Sequence, residues 1–301
     1  MKGTPLRRRL RLLGYALILL ALPFGWLVAV WPPPIWYRTH WPSETEFMKI
    51  RRTSIPPNRT TQLAYRPVLL DSISPSLVEA VVTAEDARFR GHRGIDWYEV
   101  RKALGYRRGR FEWSSARDVR ELGWAMRQAS NRQEAVRGAS TITQQLAKNL
   151  FLSPSRNPLR KVKEAVTAYR LERALGKDRI LELYLNVAEL GDGVWGVEAA
   201  SRRYFRTSAS QVSLTQAAAL AATLPFPLGS NPAYRPVRMR RRQDLILRRM
   251  RGERVEVPKV EEEPIPQPGD SVMWTPGIDS LMDSLRAPVE TLGGSHRSPV
   301  R

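Results

Sequence analysis

The sequence predicts a mainly α protein with one N-terminal transmembrane helix. Three observations lead to this prediction. Residues 12–31 form an uncharged apolar run, residues 68–251 contain helix-start signals with apolar residues at helical spacing, and residues 252–301 lack such spacing. A segment of the length of 68–251 is ordinary for a single domain. The chain has no cysteine, so the redox state of its compartment leaves no trace in the sequence.

The first element is the apolar run 12–31, whose twenty residues are enough to cross about 30 Å of hydrocarbon as a helix. Residues 1–11 carry five basic residues and no acid, so the positive-inside bias keeps them in the cytoplasm and the rest of the chain outside. A cleaved signal peptide is the alternative, but Trp-Pro-Pro-Pro follows the run instead of a small-residue cleavage site. Residues 32–67, rich in proline and arginine, are interpreted as a juxtamembrane connector.

The domain over residues 68–251 is predicted to be helical from its start signals. Ser74 followed by proline supplies an N-cap and a proline at the first helical position. Asn157 followed by proline opens a second helix with apolar residues at helical spacing. Ser213 and Gln216 form a capping box before an alanine-rich helix that a proline ends.

Residues 138–149 predict a helix with two different faces. At about 100° per residue, one face is apolar and packs, with Ile142, Leu146 and Leu150. The opposite arc is polar, with Thr141, Gln144, Gln145 and Lys148. Ser140 is the predicted N-cap, so the positive end of the helix favours an anion in front of this arc. The alternative is a surface helix whose polar face only meets water.

Residues 252–301 are interpreted as a mostly disordered tail, because they are rich in Glu, Pro, Ser and Gly. From Glu253 onward the chain has nine acidic and five basic residues, a net charge of −4. Because the whole chain carries +20, residues 1–252 carry +24. Such a charge indicates nucleic acid, anionic lipid headgroups or an anionic lipid-linked substrate as a partner. The sequence has no nucleic-acid motif, and we expect no nucleic acid. Lipid headgroups, at about 1 kcal/mol per basic residue, and a lipid-linked substrate are compatible with each other.

Five motifs in the chain resemble those of the peptidoglycan glycosyltransferases, which polymerise the glycan strands of the bacterial cell wall. Residues 85–96 match Glu-Asp-x-x-Phe-x-x-His-x-Gly, and residues 138–149 match Gly-x-Ser-Thr-Ile-Thr-Gln-Gln-x-x-Lys-Asn. The others follow in the family's order, at residues 160–164, 177–186 and 191–196. The stretch Asn-x-Ala-Glu-x-Gly-Asp-Gly, which begins at Asn186, is most similar to the monofunctional branch. Together the matches cover more than half of the chain.

The resemblance implies a lysozyme-like glycosyltransferase domain in the cell inner (plasma) membrane. The implied reaction transfers the growing glycan from its polyprenyl pyrophosphate carrier to a sugar hydroxyl of lipid II, forming β-1,4 links with inversion. The implied partners are lipid II, the lipid-linked strand, membrane phospholipids and cell-wall synthesis proteins. A divalent cation, Mg or Mn, is expected to bind with the pyrophosphate, and no protein metal site is assigned.

The site residues follow from the chemistry of this reaction. Pyrophosphate is a weak base, so its departure needs charge neutralisation more than a general acid. A carboxylate suits removal of the proton from the attacking hydroxyl, and the motif makes Glu85 that base. The expected substrate-binding residues are the cations Lys148, Arg160 and Lys161 with the polar residues Ser140, Thr141, Gln144, Gln145 and Asn149.

The two acids also have simpler interpretations. From its pattern alone, Glu85 is a solvated acid at the end of a helix, and the motif reverses this preference. Glu164 stands four residues after Arg160 and three after Lys161, which alone suggests exposed ion pairs worth about 0.3–0.5 kcal/mol each. In the family the equivalent Glu is a second essential acid. It orients the basic residues or supports a metal, and we favour orientation.

A histidine and a group of glycines in the motifs also have structural interpretations. His40 and His296 lie in the connector and the tail, so His92 has no histidine cluster around it and is interpreted as structural. Gly191, Gly193 and Gly196 form a turn between two helices, or they let a sugar strand approach the backbone.

The segment from Gly105 to Arg137 departs from the family, in which a shorter stretch joins the first two motifs. It is rich in arginine and contains Trp113 and Trp124. It is interpreted as a surface excursion, or as a basic lid near the bilayer that handles the growing strand.

Two other functional classes are alternatives to the polymerase. A lysozyme-like peptidoglycan hydrolase or lytic transglycosylase would also be helical with a catalytic Glu, but it has no use for cations that bind pyrophosphate. A membrane-anchored scaffold with a decayed site is disfavoured because the Glu, Gln, Lys and Arg positions are all intact.

Overall fold

A computed structural model describes residues 29–54, 63–103, 114–121, 140–152 and 158–258, with the isolated positions 15, 21, 25 and 123. These residues are mainly helical, as predicted. The elements named below lie in one structural unit, Met1–Pro268. Most of the 105–137 segment and the tail after residue 258 lie outside the described residues.

The predicted membrane span is not confirmed by the structure. Most of residues 12–31 lie outside the described part of the chain. Among the residues that are described, no helix combines the length and the apolar character needed to cross a bilayer.

Three helices begin where the local signals predict. Proline occupies the first turn of the helix after Ser74, the next predicted helix begins at Pro158, and the capping box of Ser213 and Gln216 is formed. The described α-helices are α1 (Glu46–Ser54), α2 (Pro75–Glu85), α3 (Trp97–Ala103), α4 (Ile142–Phe151), α5 (Pro158–Ala174), α6 (Lys177–Val187), α7 (Val197–Phe205), α8 (Leu214–Thr223) and α9 (Val237–Met250). Short 3-10 helices cover Pro34–Arg38, Leu70–Ser72 and Phe89–Gly91.

Two groups of helices form the core. In the first group α8 packs against both α2 and α9, and in the second α4 packs against α5 and α6. Leu77, Leu220 and Ile246 are fully buried in the first group, and Leu146 and Leu181 in the second. The C-terminal end of α2 meets α4, which brings the first motif beside the second.

The start of α4 differs from the prediction by one residue. The N-cap is Thr141, not Ser140, because the Thr141 side chain accepts a hydrogen bond from the Gln144 backbone N–H while the Gln144 side chain accepts one from the Thr141 N–H. Thr141 also donates its hydroxyl to the Gly94 carbonyl, at 2.6 Å. The apolar stripe is confirmed, since Ile142, Leu146 and Leu150 are all buried.

The predicted glycine-rich turn is a β-hairpin in a small sheet. β2 (Glu189–Gly191) pairs antiparallel with β3 (Val194–Trp195), and β1 (Ala64–Tyr65) pairs parallel with β3 on its other side. Gly193 and Gly196 have φ of +67° and +80°, in the left-handed region that favours glycine. A Cβ on Gly196 would collide with the Asn186 backbone, so this glycine serves the packing of the hairpin.

Part of the segment interpreted as a connector packs against the domain. α1 lies against α4 and β1 joins the sheet. The Arg38 guanidinium donates to the Ala174 carbonyl at the end of α5, with Nη2 at 2.9 Å. Phe47 and Met48 of α1 are buried against Trp195. Local periodicity did not reveal these contacts because their partners are far away in the sequence.

Candidate active site

Glu85, the expected base, is the last residue of α2 and is buried. Both of its carboxylate oxygens accept charged or polar hydrogen bonds. Arg242 Nη2 lies 3.0 Å from Oε1, and Gln145 Nε2 lies 3.0 Å from Oε2. A buried carboxylate is stable only when it is paired and hydrogen-bonded, and here α9 and α4 supply the two partners.

Tyr184 of α6 joins this network through Gln145. Its hydroxyl donates to Gln145 Oε1 at 2.5 Å. Burial and the charge of Glu85 raise the pKa of Tyr184 well above its ordinary value, so the hydroxyl keeps its proton and remains a donor. This bond fixes the Gln145 amide with its NH2 group toward Glu85.

Sequence reasoning missed Arg242. It is 5% exposed and also donates to the Ala84 carbonyl at 3.0 Å. It therefore satisfies a backbone carbonyl at the C-terminal end of α2. α9 is rich in arginine, so its composition does not distinguish Arg242 from its exposed neighbours. One signal was present: Arg242 falls between Met239 and Ile246 at helical spacing, on the buried face of α9.

Glu164 of α5 holds the two cations that precede it by one helical turn. Arg160 Nη1 lies 3.1 Å from Oε2, and Lys161 donates to Oε1. Glu164 itself is 2% exposed, whereas Arg160 and Lys161 are partly exposed. Lys161 also donates to the Ser140 hydroxyl at 2.8 Å. These pairs differ from exposed helical ion pairs because their acid is buried.

Lys148 of α4 links the two acids electrostatically. Burial lowers the pKa of Lys148 to about 8; the charge of Glu164 opposes this shift, Lys161 and Arg160 add to it, and Glu85 opposes it. The Lys148 ammonium therefore lies close enough to both acids and both cations to feel their fields. A site with three cations and two buried acids can neutralise an anion beside a carboxylate base.

The expected polar residues divide into two groups. Gln145, Lys148 and Asn149 line an open cleft together with Tyr184. Thr141 and Gln144 are buried and bonded to each other in the capping box. The structure therefore brings Ser140, Gln145, Lys148, Arg160 and Lys161 toward the two acids. Asn149 lies in the cleft, and Thr141 and Gln144 support the helix start.

The first motif also contains a group of possible metal ligands that was not predicted from the sequence. Asp86, His92 and Asp96 each offer a ligand atom, and these atoms lie within 4.8 Å of one another. Asp86 accepts from His92 Nε2 at 3.0 Å and from the Ile142 N–H at 3.1 Å. Asp96 Oδ1 accepts from two N–H groups at the start of α3, and its Oδ2 lies 3.4 Å from Arg88 Nε. In these bonds the group braces the first motif against α4.

Comparisons with known proteins match most of this chain. A family model described as Transglycosylase matches residues 57–108 and 109–251. The chain is 45% identical over 194 residues to a biosynthetic peptidoglycan transglycosylase of Bordetella pertussis, covering 64% of this chain and 73% of the relative. Proteins with the same name are 42% identical in Methylobacillus flagellatus, over 70% of this chain and 82% of the relative, and 39% identical in Bordetella avium, over 79% and 92%.

Proposed function

This chain belongs to the transglycosylase family, and we propose that it polymerises the glycan strands of peptidoglycan. It transfers the growing strand from its polyprenyl pyrophosphate carrier to a sugar hydroxyl of lipid II. The observation that carries this proposal is the buried carboxylate of Glu85, whose charge acts on the cation Lys148.

Glu85 takes the proton from the attacking hydroxyl. Arg242 supports the ionised carboxylate and Gln145 fixes its orientation, so the base is held ready before substrate binds. A positioned general base contributes about 10²–10⁴ to a rate. Because both protein partners reach the carboxylate from α4 and α9, small shifts of these helices would misplace the base.

The cations bind the leaving group. As the acceptor oxygen forms a bond to the anomeric carbon, the bond from that carbon to pyrophosphate breaks, and pyrophosphate leaves with the electron pair. Lys148, Arg160 and Lys161 neutralise this charge, and Glu164 orients the last two through its buried carboxylate. A single displacement of this kind forms the β-1,4 link with inversion.

The basic residues favour polymerisation over lysis. A hydrolase or lytic transglycosylase cleaves a glycosidic bond and releases no pyrophosphate, so it needs an acid at the leaving oxygen instead of several cations. The geometry around Glu164 fits polymerisation with release of pyrophosphate, because this acid holds two cations and is 2% exposed.

We place the divalent cation, Mg or Mn, on the substrate and not on the free protein. Each oxygen of Glu85 and Glu164 already accepts a bond from a protein donor, and both oxygens of Asp86 lie 3.0 Å from His92 Nε2. Mg²⁺ commonly binds through substrate phosphates with few protein ligands. A cation that arrives with pyrophosphate would add positive charge to the same field.

The location of the enzyme is also part of the proposal. The apolar run 12–31 and the basic residues before it support a single-pass protein of the inner membrane with its catalytic domain outside the cytoplasm. This position gives access to lipid II, to the lipid-linked strand, to membrane phospholipids and to other cell-wall synthesis proteins.

The deciding experiment incubates full-length protein in detergent with labelled lipid II and separates the products by size. We expect polymer from the wild type, and we expect Glu85→Gln to lose about 10²–10⁴ in rate while still binding lipid II. Shortening of preformed glycan without any polymer from lipid II would support the lytic class. Near-normal turnover by Glu85→Gln would show that another group is the base.

A further inference from the structure

The helix α1 forms part of the cleft that holds Lys148. Phe47 and Arg51 of α1 line this cleft with Gln145 and Lys148 of α4. The Lys148 Nζ lies 5.3 Å from the centroid of the Phe47 ring, within the range of a cation–π contact. Phe47 is 7% exposed, so its ring is fixed by packing.

A buried ion pair anchors α1 in this position. Arg51 Nε and Nη2 lie 2.8 Å and 2.9 Å from the two carboxylate oxygens of Glu189 in β2. The Arg51 and Glu189 side chains are 11% and 5% exposed. Two-point contacts between guanidinium and carboxylate fix orientation as well as distance.

The β-hairpin holds the other side of the Phe47 ring. Trp195 of β3 is fully buried and meets the ring edge to face, with centroids 6.3 Å apart and planes at 81°. Glu189 is the acid of the Asn-x-Ala-Glu stretch that begins at Asn186. The proposed mechanism above gives this acid no role, and its contact with Arg51 supplies one.

We propose that Phe47 positions the Lys148 ammonium for the substrate pyrophosphate, and that the ion pair of Arg51 with Glu189 holds Phe47 in place. This inference rests on the proposed function, since it specifies how one of its cations is held. The ring supplies a negative face to the ammonium and covers it from water on one side. It takes no hydrogen bond from the ammonium, so the N–H groups remain directed by polar partners and by substrate.

The ring's effect adds to those of other charges around Lys148. The groups that act on it are Glu164, Lys161 and Arg160 of α5 and Glu85 of α2, and the cleft also contains Tyr184, Arg51 and Glu189. A variant that changes the ring and leaves these groups in place therefore isolates the contribution of Phe47.

The test compares full-length Phe47→Leu with Phe47→Tyr, which keeps the ring, and with Lys49→Ala, a change at an exposed residue of the same helix. NMR of isotopically labelled lysine side chains, assigned with Lys148→Arg, reports the titration of Lys148 without any substrate. Loss of a cation–π contact worth about 0.5–1 kcal/mol or more lowers the midpoint of this titration by about half a pH unit or more. Phe47→Tyr and Lys49→Ala should leave it in place.

A double-variant comparison then links the ring to binding. Phe47→Leu is expected to weaken lipid II binding about threefold or more when Lys148 is present, and to have little effect in the Lys148→Ala background. Equal weakening in both backgrounds, or an unchanged Lys148 titration in folded Phe47→Leu, would overturn the inference. Failure of the wild type to polymerise lipid II would instead count against the proposed function. It would leave the Lys148 titration as a separate test, because that titration is measured without lipid II. Glu189→Gln should lower the Lys148 midpoint more in the wild type than in the Phe47→Leu background. Equal lowering in both backgrounds would show that Glu189 acts on Lys148 only through its own charge and would remove the ion pair from the proposal.

Discussion

The lowered pKa of Lys148 predicts opposite effects of alkaline pH on stability and on substrate binding. In the folded protein Lys148 releases its proton near pH 8, whereas its ordinary value is 10.5. Between these values the unfolded chain binds more protons, so raising the pH stabilises the folded state. At about 1.4 kcal/mol for each tenfold difference in proton affinity, the gain in unfolding free energy is at most about 3.5 kcal/mol. The Lys148 side chain keeps some exposed surface, which makes this figure an upper bound.

Substrate binding should move the other way. The protonated fraction of Lys148 falls roughly fivefold between pH 8 and pH 9, and the affinity for pyrophosphate should fall with it. The assay is urea denaturation and lipid II binding in detergent from pH 7 to pH 10, for the wild type and for Lys148→Met. Subtracting the unfolding free energy of Lys148→Met from that of the wild type removes the contribution of the tyrosines, because both proteins contain the same tyrosines. A difference in unfolding free energy that stays flat across this range would refute the reasoning.

Three further predictions concern the base and the chain ends. Arg242→Gln leaves Glu85 buried without its cation, so it should cost about 3–5 kcal/mol of unfolding free energy, and the double variant with Glu85→Gln should recover most of this in urea denaturation. A chain that begins at Trp41 keeps α1 and the site, so it should polymerise lipid II in detergent, more slowly because a second membrane contact is lost. Loss of all activity in this chain while it remains folded would place part of the site before Trp41. Removal of Pro264–Arg301 should change neither the polymer yield nor the melting temperature, and a failure to fold would move the domain boundary.

Helix starts could be predicted because their signals are local. The serine and proline at the start of α2 and the capping box at the start of α8 each lie within four residues. The start of α4 was predicted one residue too early, although the same rule was available. Thr141 and Gln144 have the spacing of a capping box, and that pairing determined the N-cap.

The candidate site was predicted only where a motif lies in one stretch of sequence. The contact of Arg242 with Glu85 joins residues 157 positions apart, and that of Arg51 with Glu189 joins residues 138 apart. No local period predicts such pairs. The Asp86 group was not predicted for a different reason. The ligand atoms beside His92 belong to aspartates, whereas the other histidines of the chain lie far away in the sequence.

The bonds at the start of α4 have a consequence for how the chain tolerates changes in length. Thr141 is bonded to the Gly94 carbonyl and the Ile142 N–H to the Asp86 carboxylate, so both motifs are tied together independently of the segment 105–137 between them. Closing a loop whose ends are already held costs only about 0.6 kcal/mol more for each doubling of its length. Insertions or deletions between these motifs should therefore cost little stability, and this enzyme can gain new surface there without moving Glu85.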